Sequence, residues 1–306
     1  MTMIDPSELD TQEFPLAMDV ERLRPASSSV RVDVAALSDK GKVRDENQDH
    51  YLVARAGRHL DTMLTNLPEG EIPARFEETS YVAIVADGMG GHAGGEVASR
   101  LAIKTLVNII LHVPDWILRL DEEHAQKVME RAGRYYCEVN TKLVEEARLK
   151  PELRGMGTTM TGAYSIGDDL FVVHVGDSRA YLYRDGVLRR LTRDHTHAQM
   201  LADAGIIKPE AIATHRLRHV LTNALGGEES KGEAEIHRMR LFDGDRILLC
   251  SDGLHDMVED ETIAEILKTH DKASAACQSL VEAALANGGR DNVTVVVASY
   301  AIPQAS

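Results

Sequence analysis

Five aspartates stand where an apolar run meets a turn. Asp87 ends YVAIVAD, Asp177 follows LFVVHVG and Asp252 follows RILLCS, whereas Asp291 leads into NVTVVVASY and Asp49 into HYLVA. A single aspartate at a strand edge is an ordinary turn residue, because its side chain bonds nearby backbone. Five at edges of both polarities suggest more. In an antiparallel sheet the start of one strand lies beside the end of its neighbour, so all five can gather on one rim. Clustered carboxylates repel unless a cation sits among them. Oxygen-only ligation suits Mg²⁺ or Mn²⁺ rather than zinc. The 13 histidines do not alter this, since no HExxH or His/Cys spacing appears.

The stretch IVADGMGGHAGGEVAS (84–99) carries one of these aspartates into a glycine-rich segment. Asp-Gly is a strong hairpin signal, but a hairpin needs a second alternating strand directly afterwards. Helical spacing follows instead, with Val97, Leu101, Ile103, Leu106, Val107, Ile110 and Leu111. Gly88-x-Gly90-x-x-Ala93 also fits a dinucleotide fingerprint on paper. Asp87 would then face a pyrophosphate, and no clear acidic residue ends a second strand about 20 residues on. Half of a hard-metal site is the third reading, and it agrees with the other four aspartates.

The elements that would position these residues are strands near 30–37, 51–54, 81–86, 158–166, 170–175, 180–183, 246–250 and 293–300. Helices are expected near 96–113, 122–150, 196–204, 261–269 and 272–287. The second helix shows the clearest apolar stripe: Ala125, Val128, Met129, Ala132, Tyr135, Tyr136, Val139 and Leu143. Residues 57–79 read as a polar excursion between two strands. Periodic segments run from Val30 to Ile302 without a linker, which predicts one domain. Residues 1–29, acidic and punctuated by proline, read as a flexible N-terminal tail. With 43% apolar residues the chain can bury a substantial core, and its formal charge of −15 argues against nucleic-acid and anionic-membrane partners. Three cysteines without a CxxC pair fit a reducing compartment, and no apolar run reaches membrane-spanning length. A cytoplasmic location is the expectation.

Seven segments in order carry a resemblance: VRDENQD (43–49), VADGMGGHAGGEVAS (85–99), GMGTTMTGA (155–163), VVHVGDSRAYLY (172–183), LTRDH (191–195), LLCSDGLHDMV (248–258) and GGRDNVTVVV (288–297). Together they resemble the metal-dependent protein phosphatases of the 2C type, bacterial branch, over about residues 30–300. The resemblance implies an α+β fold: a four-layer αββα sandwich of two antiparallel sheets flanked by helices. It implies a 2C-type phosphatase catalytic domain at 30–302. The expected activity is serine/threonine phosphoprotein hydrolysis, in signalling, by a water activated by two Mn²⁺ or Mg²⁺ ions without a covalent intermediate. Carried over residue by residue, Asp87 would bridge both metals, with the Gly88 carbonyl on one. Asp252 and Asp291 would hold the other, and Asp49 would act largely through metal-bound water. Arg44 would bind the substrate phosphate, and its two-pronged guanidinium suits that task. Asp177 and Asp256 match positions that hold a third, weaker metal in many bacterial relatives. Phosphorylated proteins, serine/threonine kinases among them, are the implied partners, and a monomer is expected.

Two positions depart from the wider family. Met89 stands where many eukaryotic relatives carry a histidine that is a candidate general acid, which leaves the proton donor unassigned; His92 lies nearby. His255 replaces the usual tryptophan of SDGLWD. No Cys-x5-Arg occurs, and Asp243-Gly-Asp245 lacks the following Thr or Val of aspartyl-phosphate enzymes. A catalytically dead phosphoprotein binder would be expected to lose metal ligands, and Asp49, Asp87, Asp252 and Asp291 are all present. A phosphoesterase acting on small molecules stays open. Residues 196–220, with Arg216, Arg218 and His219, form a locally basic stretch in an acidic chain, expected to meet phosphopeptides at the surface.

Overall fold

The computed structural model describes residues 30–113, 121–227, 230 and 232–303, with 91–93 described by their backbone alone. The expected tail at 1–29 lies outside these residues, as does the side chain of His92. The chain runs through β1 (Arg31–Asp39), β2 (Asp49–Asp61), β3 (Arg75–Met89), α1 (Gly91–His112) and α2 (Glu122–Leu149). Next come β4 (Gly157–Thr158), β5 (Met160–Ile166), β6 (Asp169–Val175), β7 (Arg179–Arg184), β8 (Val187–Arg190) and α3 (His197–Asp203). Last are β9 (Leu225–Gly226), β10 (Glu235–Arg240), β11 (Arg246–Cys250), α4 (Asp252–His255), α5 (Asp260–Thr269), α6 (Ala273–Ala286) and β12 (Val293–Ala301).

Two antiparallel sheets result. One has the order β1-β12-β11-β7-β8; the other runs β10-β6-β5-β3-β4-β9, with β2 paired to the remaining length of β3. Strands buried on both faces explain the apolar runs, because successive side chains point to opposite sides. Val85, Leu182, Ile247, Leu249, Val296 and Ala298 fill the space between the sheets. Their neighbours point outward. Tyr181, Leu248, Val295 and Val297 pack with Ile263 and Leu267 of α5 and Ala276 and Leu280 of α6. Ile84 and Val173 pack with Ala98 and Leu106 of α1 and Tyr136, Val139 and Leu143 of α2. The four-layer αββα architecture follows from that alternation.

Helix α2 begins where Asp121 accepts the His124 N–H at 2.8 Å, a side-chain cap on an otherwise orphaned donor. The excursion expected at 57–79 is shorter, confined to 62–74 between β2 and β3. Gly57–Asp61 pairs rung for rung with Arg75–Thr79, so the two strands extend as one hairpin well past the apolar core. The largely exposed, charged composition of this ladder hid it, and the charged residues of β8 and β10 at the sheet edges had the same effect. No helix among the described residues is long and apolar enough to cross a membrane.

Candidate metal centre

One end of the sandwich collects the aspartates. Asp49 opens β2 and Asp87 lies near the end of β3, and they oppose each other on one rung of the ladder. Asp177 precedes β7, Asp252 follows β11 and Asp291 precedes β12, which are the three neighbouring strand ends of the other sheet. A cleft of about 850 Å³ is lined by Asp87, Gly88, Asp177, Asp252, Asp256 and Asp291, with Arg44 at its edge. Asp49 sits behind this lining, buried to 5% exposure.

The glycines bring backbones together. A Cβ on Gly88 would lie 2.1 Å from the Gly95 carbonyl oxygen, so only glycine lets the start of α1 cross the strand here. Gly90, at φ +123°, turns the chain into α1 in a region that side chains rarely adopt. The Asp87 backbone is fixed on the other side: its N–H donates to Thr159 Oγ1 at 3.0 Å, and its carbonyl accepts from Thr159 N–H and Thr158 Oγ1. Asn292 ties down the Arg44 loop, donating to the Lys40 and Glu46 carbonyls and accepting the Gln48 N–H at 2.8 Å. Ser251 accepts the Thr294 N–H and donates to Asp49 Oδ2 at 2.7 Å. Thr159, Ser251 and Asn292 carry no metal-ligand signature in the sequence. Ser251 and Asn292 were signalled only by adjacency to Asp252 and Asp291, and Thr159 only by its place in GMGTTMTGA.

The charges are crowded. Removal from water, then repulsion from Asp49, holds the Asp87 carboxyl well above the usual range; desolvation and then Asp177 do the same to Asp252. Burial pushes Asp49 up to about 6 against the Ser251 hydrogen bond, and burial with Asp194 and Asp256 nearby pushes Asp177 up to about 7. Asp49 Oδ1 and Asp252 Oδ1 are buried and have no hydrogen-bond donor. Orphaned carboxylate oxygens among like charges fit hard divalent cations, which would relieve both deficits at once. Arg44 Nη2 donates to Asp291 Oδ2 at 2.6 Å, and its side chain is 57% exposed at the open side of the cleft.

Basic side chains also reach the cluster. Arg218 Nη2 lies 3.5 Å from Asp256 Oδ2, and His219 lies 3.3 Å from Asp256 and 3.8 Å from Asp252. The expected surface patch reaches into the cleft: Arg216 and His219 are exposed, Arg218 is half-buried, and Arg218 and His219 line the cleft wall. His255 is almost enclosed. Burial, and then the nearby Arg179 charge, pushes it down to about 3, so the ring is neutral and its Nε2–H donates to the Asp177 carbonyl at 3.1 Å. In place of an aromatic packing surface, the chain has a hydrogen bond that holds the Asp177 turn.

A sequence model of the Protein phosphatase 2C family matches residues 74–287. The chain belongs to this family. It is 41% identical to the serine/threonine protein phosphatase PstP of Mycobacterium tuberculosis over 266 residues, 86% of this chain and 44% of PstP. The chain thus spans less than half the length of that relative. Similarity to the Listeria monocytogenes serine/threonine phosphatase stp is 32% over 269 residues, 87% of this chain and 95% of stp. Among solved structures, the M. tuberculosis PstP crystal structure superposes with a TM-score of 0.70 at 38% identity, covering 88% of this chain and 98% of that one. A PstP catalytic domain described in complex with two manganese ions gives 0.69 at 36% identity, covering 89% and 99%. These 2C-family structures share the two antiparallel sheets and flanking helices.

Proposed function

We propose that this chain is a metal-dependent serine/threonine phosphoprotein phosphatase that hydrolyses phosphoserine and phosphothreonine esters without a phosphoenzyme. The observation that carries the reading is the rim of desolvated carboxylates with orphaned oxygens, open on one side to a cleft with Arg44 at its edge. Family membership and the likeness to serine/threonine phosphatases of M. tuberculosis and L. monocytogenes support it. In this reading Asp49, Asp87, Asp252, Asp291 and the Gly88 carbonyl hold two Mn²⁺ or Mg²⁺ ions, and Asp177 and Asp256 serve an accessory site. Bound there, the ions would supply Lewis acidity and a water of lowered pKa.

The chain's own residues do the rest. Arg44 is half free of the fold and would exchange its bond to Asp291 for a two-pronged bond to a phosphate oxygen pair. Asp49, buried and tethered by Ser251, keeps the carboxylates behind the cleft in register. The −15 charge disfavours nucleic acid, and the family likeness points to phosphorylated proteins, serine/threonine kinases among them, as the substrate class. We place the chain in the cytoplasm as a monomer. The test is phosphate release from a phosphothreonine peptide compared with nucleoside monophosphates at matched concentration. Preference for the peptide supports the reading, and preference for the nucleotides would replace it with a small-molecule phosphoesterase.

A further inference from the structure

The carboxylate cluster has a nitrogen neighbour that no motif spacing indicated. One ligand atom each from Asp177, His219 and Asp252 lie within 4.8 Å of one another. His219 directs Nδ1 toward Asp252 Oδ2 and Nε2 toward Asp256 Oδ2. Asp256 already has a cationic neighbour in Arg218, which leaves Asp177, Asp252 and His219 as the trio facing a common point. His219 is not loosely hung. Its turn is closed by the Val220 N–H on the Leu217 carbonyl at 3.2 Å, and the Val220 carbonyl accepts the His197 N–H at 2.8 Å. A bridge between Thr196 and Leu221 fastens both ends of the segment together.

A second histidine–carboxylate group, His174–His195–Glu235, meets the same spacing and serves as a contrast. There the Gly176 N–H donates to His195 Nδ1 at 3.2 Å, which assigns the ring proton to Nε2, facing Glu235 at 3.6 Å. Both nitrogens of His174 are engaged, by Thr161 Oγ1 and the Arg193 carbonyl. No lone pair is left for a metal. Both His219 nitrogens, by contrast, face carboxylates.

We propose that His219 is a metal ligand. With Asp177 and Asp252, the latter shared with the core ions, it makes the accessory site a mixed nitrogen–oxygen site in which it takes the place given above to Asp256, the neighbour of Arg218, and it ties the 196–221 segment to the metal cluster. The proposal rests on the phosphatase reading and adds a selectivity to it. Both ions accept carboxylate and water, but Mg²⁺ is the harder and holds its waters, whereas Mn²⁺, a first-row transition ion, takes an imidazole nitrogen more readily. The accessory site therefore prefers Mn²⁺ to Mg²⁺, while the all-oxygen sites accept either.

The test is pulsed electron paramagnetic resonance on the full chain loaded with Mn²⁺, alongside calorimetric titration with each ion. A ¹⁴N coupling of a directly bound imidazole is expected in the wild type. It should vanish in His219→Gln and persist in His255→Gln. Mn²⁺ affinity at the weakest site should fall about tenfold in His219→Gln, with Mg²⁺ affinity within about twofold of wild type. Tight Mn²⁺ binding with no nitrogen coupling would overturn the proposal and leave the phosphatase reading standing. A coupling that survives in His219→Gln would also overturn it. If no Mn²⁺ binds at all, both readings fall.

Discussion

Asp49 and Asp87 face each other across one rung of the β2–β3 ladder, a pairing that like charges disfavour. Such a pair is tolerable only if protonated or bridged by a cation. The unfolded chain titrates these groups near 3.9, whereas Asp49 titrates at about 6 and Asp177 at about 7 when folded. Between those values the folded state holds more protons, so these two groups stabilise the metal-free protein below about pH 4. Their contribution is lost as pH rises through about 6 to 7. Mn²⁺ needs the deprotonated carboxylates, so its stabilisation runs the opposite way. Calorimetric melting with and without Mn²⁺ should give a rise in Tm that is larger at about pH 7.5 than at about pH 5. A rise independent of pH would show that these carboxyls do not hold the ion. At this scale the sequence was legible where chemistry is written in residue type, in Asp49, Asp87, Asp177, Asp252 and Asp291. His219 was not legible, because only the fold carries it from residue 219 to the side of Asp252.

The elements explain why the aspartates stay in place. Where strands are buried on both faces, as around Ile84-Val85 and Leu248-Leu249, apolar runs exposed them to sequence reading. Where only one face is covered, as in β8, β10 and the outer β2–β3 ladder, charged residues masked the period. Gly88→Ala is expected to cost about 3 kcal/mol in urea unfolding and to weaken Mn²⁺ binding, since the clash is with the Gly95 backbone and not a yielding side chain. Near-normal stability would mean that α1 can shift without penalty. Beneath the Asp177 turn, Arg179 grips Asp194 with two hydrogen bonds of 3.0 and 2.7 Å, and Asp194 is 6% exposed. Arg179→Ala leaves that buried carboxylate only the longer contact to Arg190 at 3.4 Å and should cost about 3 kcal/mol, whereas Arg179→Met combined with Asp194→Leu should recover much of it. An equal loss in the double variant would assign the cost to packing rather than to the buried charge.

At the scale of the whole molecule, a strongly acidic protein presents an open cleft with a few basic residues at its border. Arg216, exposed, can act on the encounter with a protein substrate, and Arg218, beside Asp256, acts within the cleft. Arg216→Ala should lower kcat/KM for a phosphopeptide about two- to threefold and leave p-nitrophenyl phosphate unchanged, because surface charge acts mainly on association with a larger partner. Arg218→Ala should alter both, and a purely peptide-specific loss there would return Arg218 to the surface role. The proposed activity, hydrolysis that depends on a hard metal, draws on the family, the sandwich and the carboxylate rim. The most direct measurement is phosphate release from a phosphothreonine peptide by metal-stripped protein as Mn²⁺ is added back. Release should be absent at first and rise with occupancy, and Asp252→Asn should stay about 100-fold below wild type at the same Mn²⁺. Full turnover by the stripped protein, or by Asp252→Asn, would contradict the account.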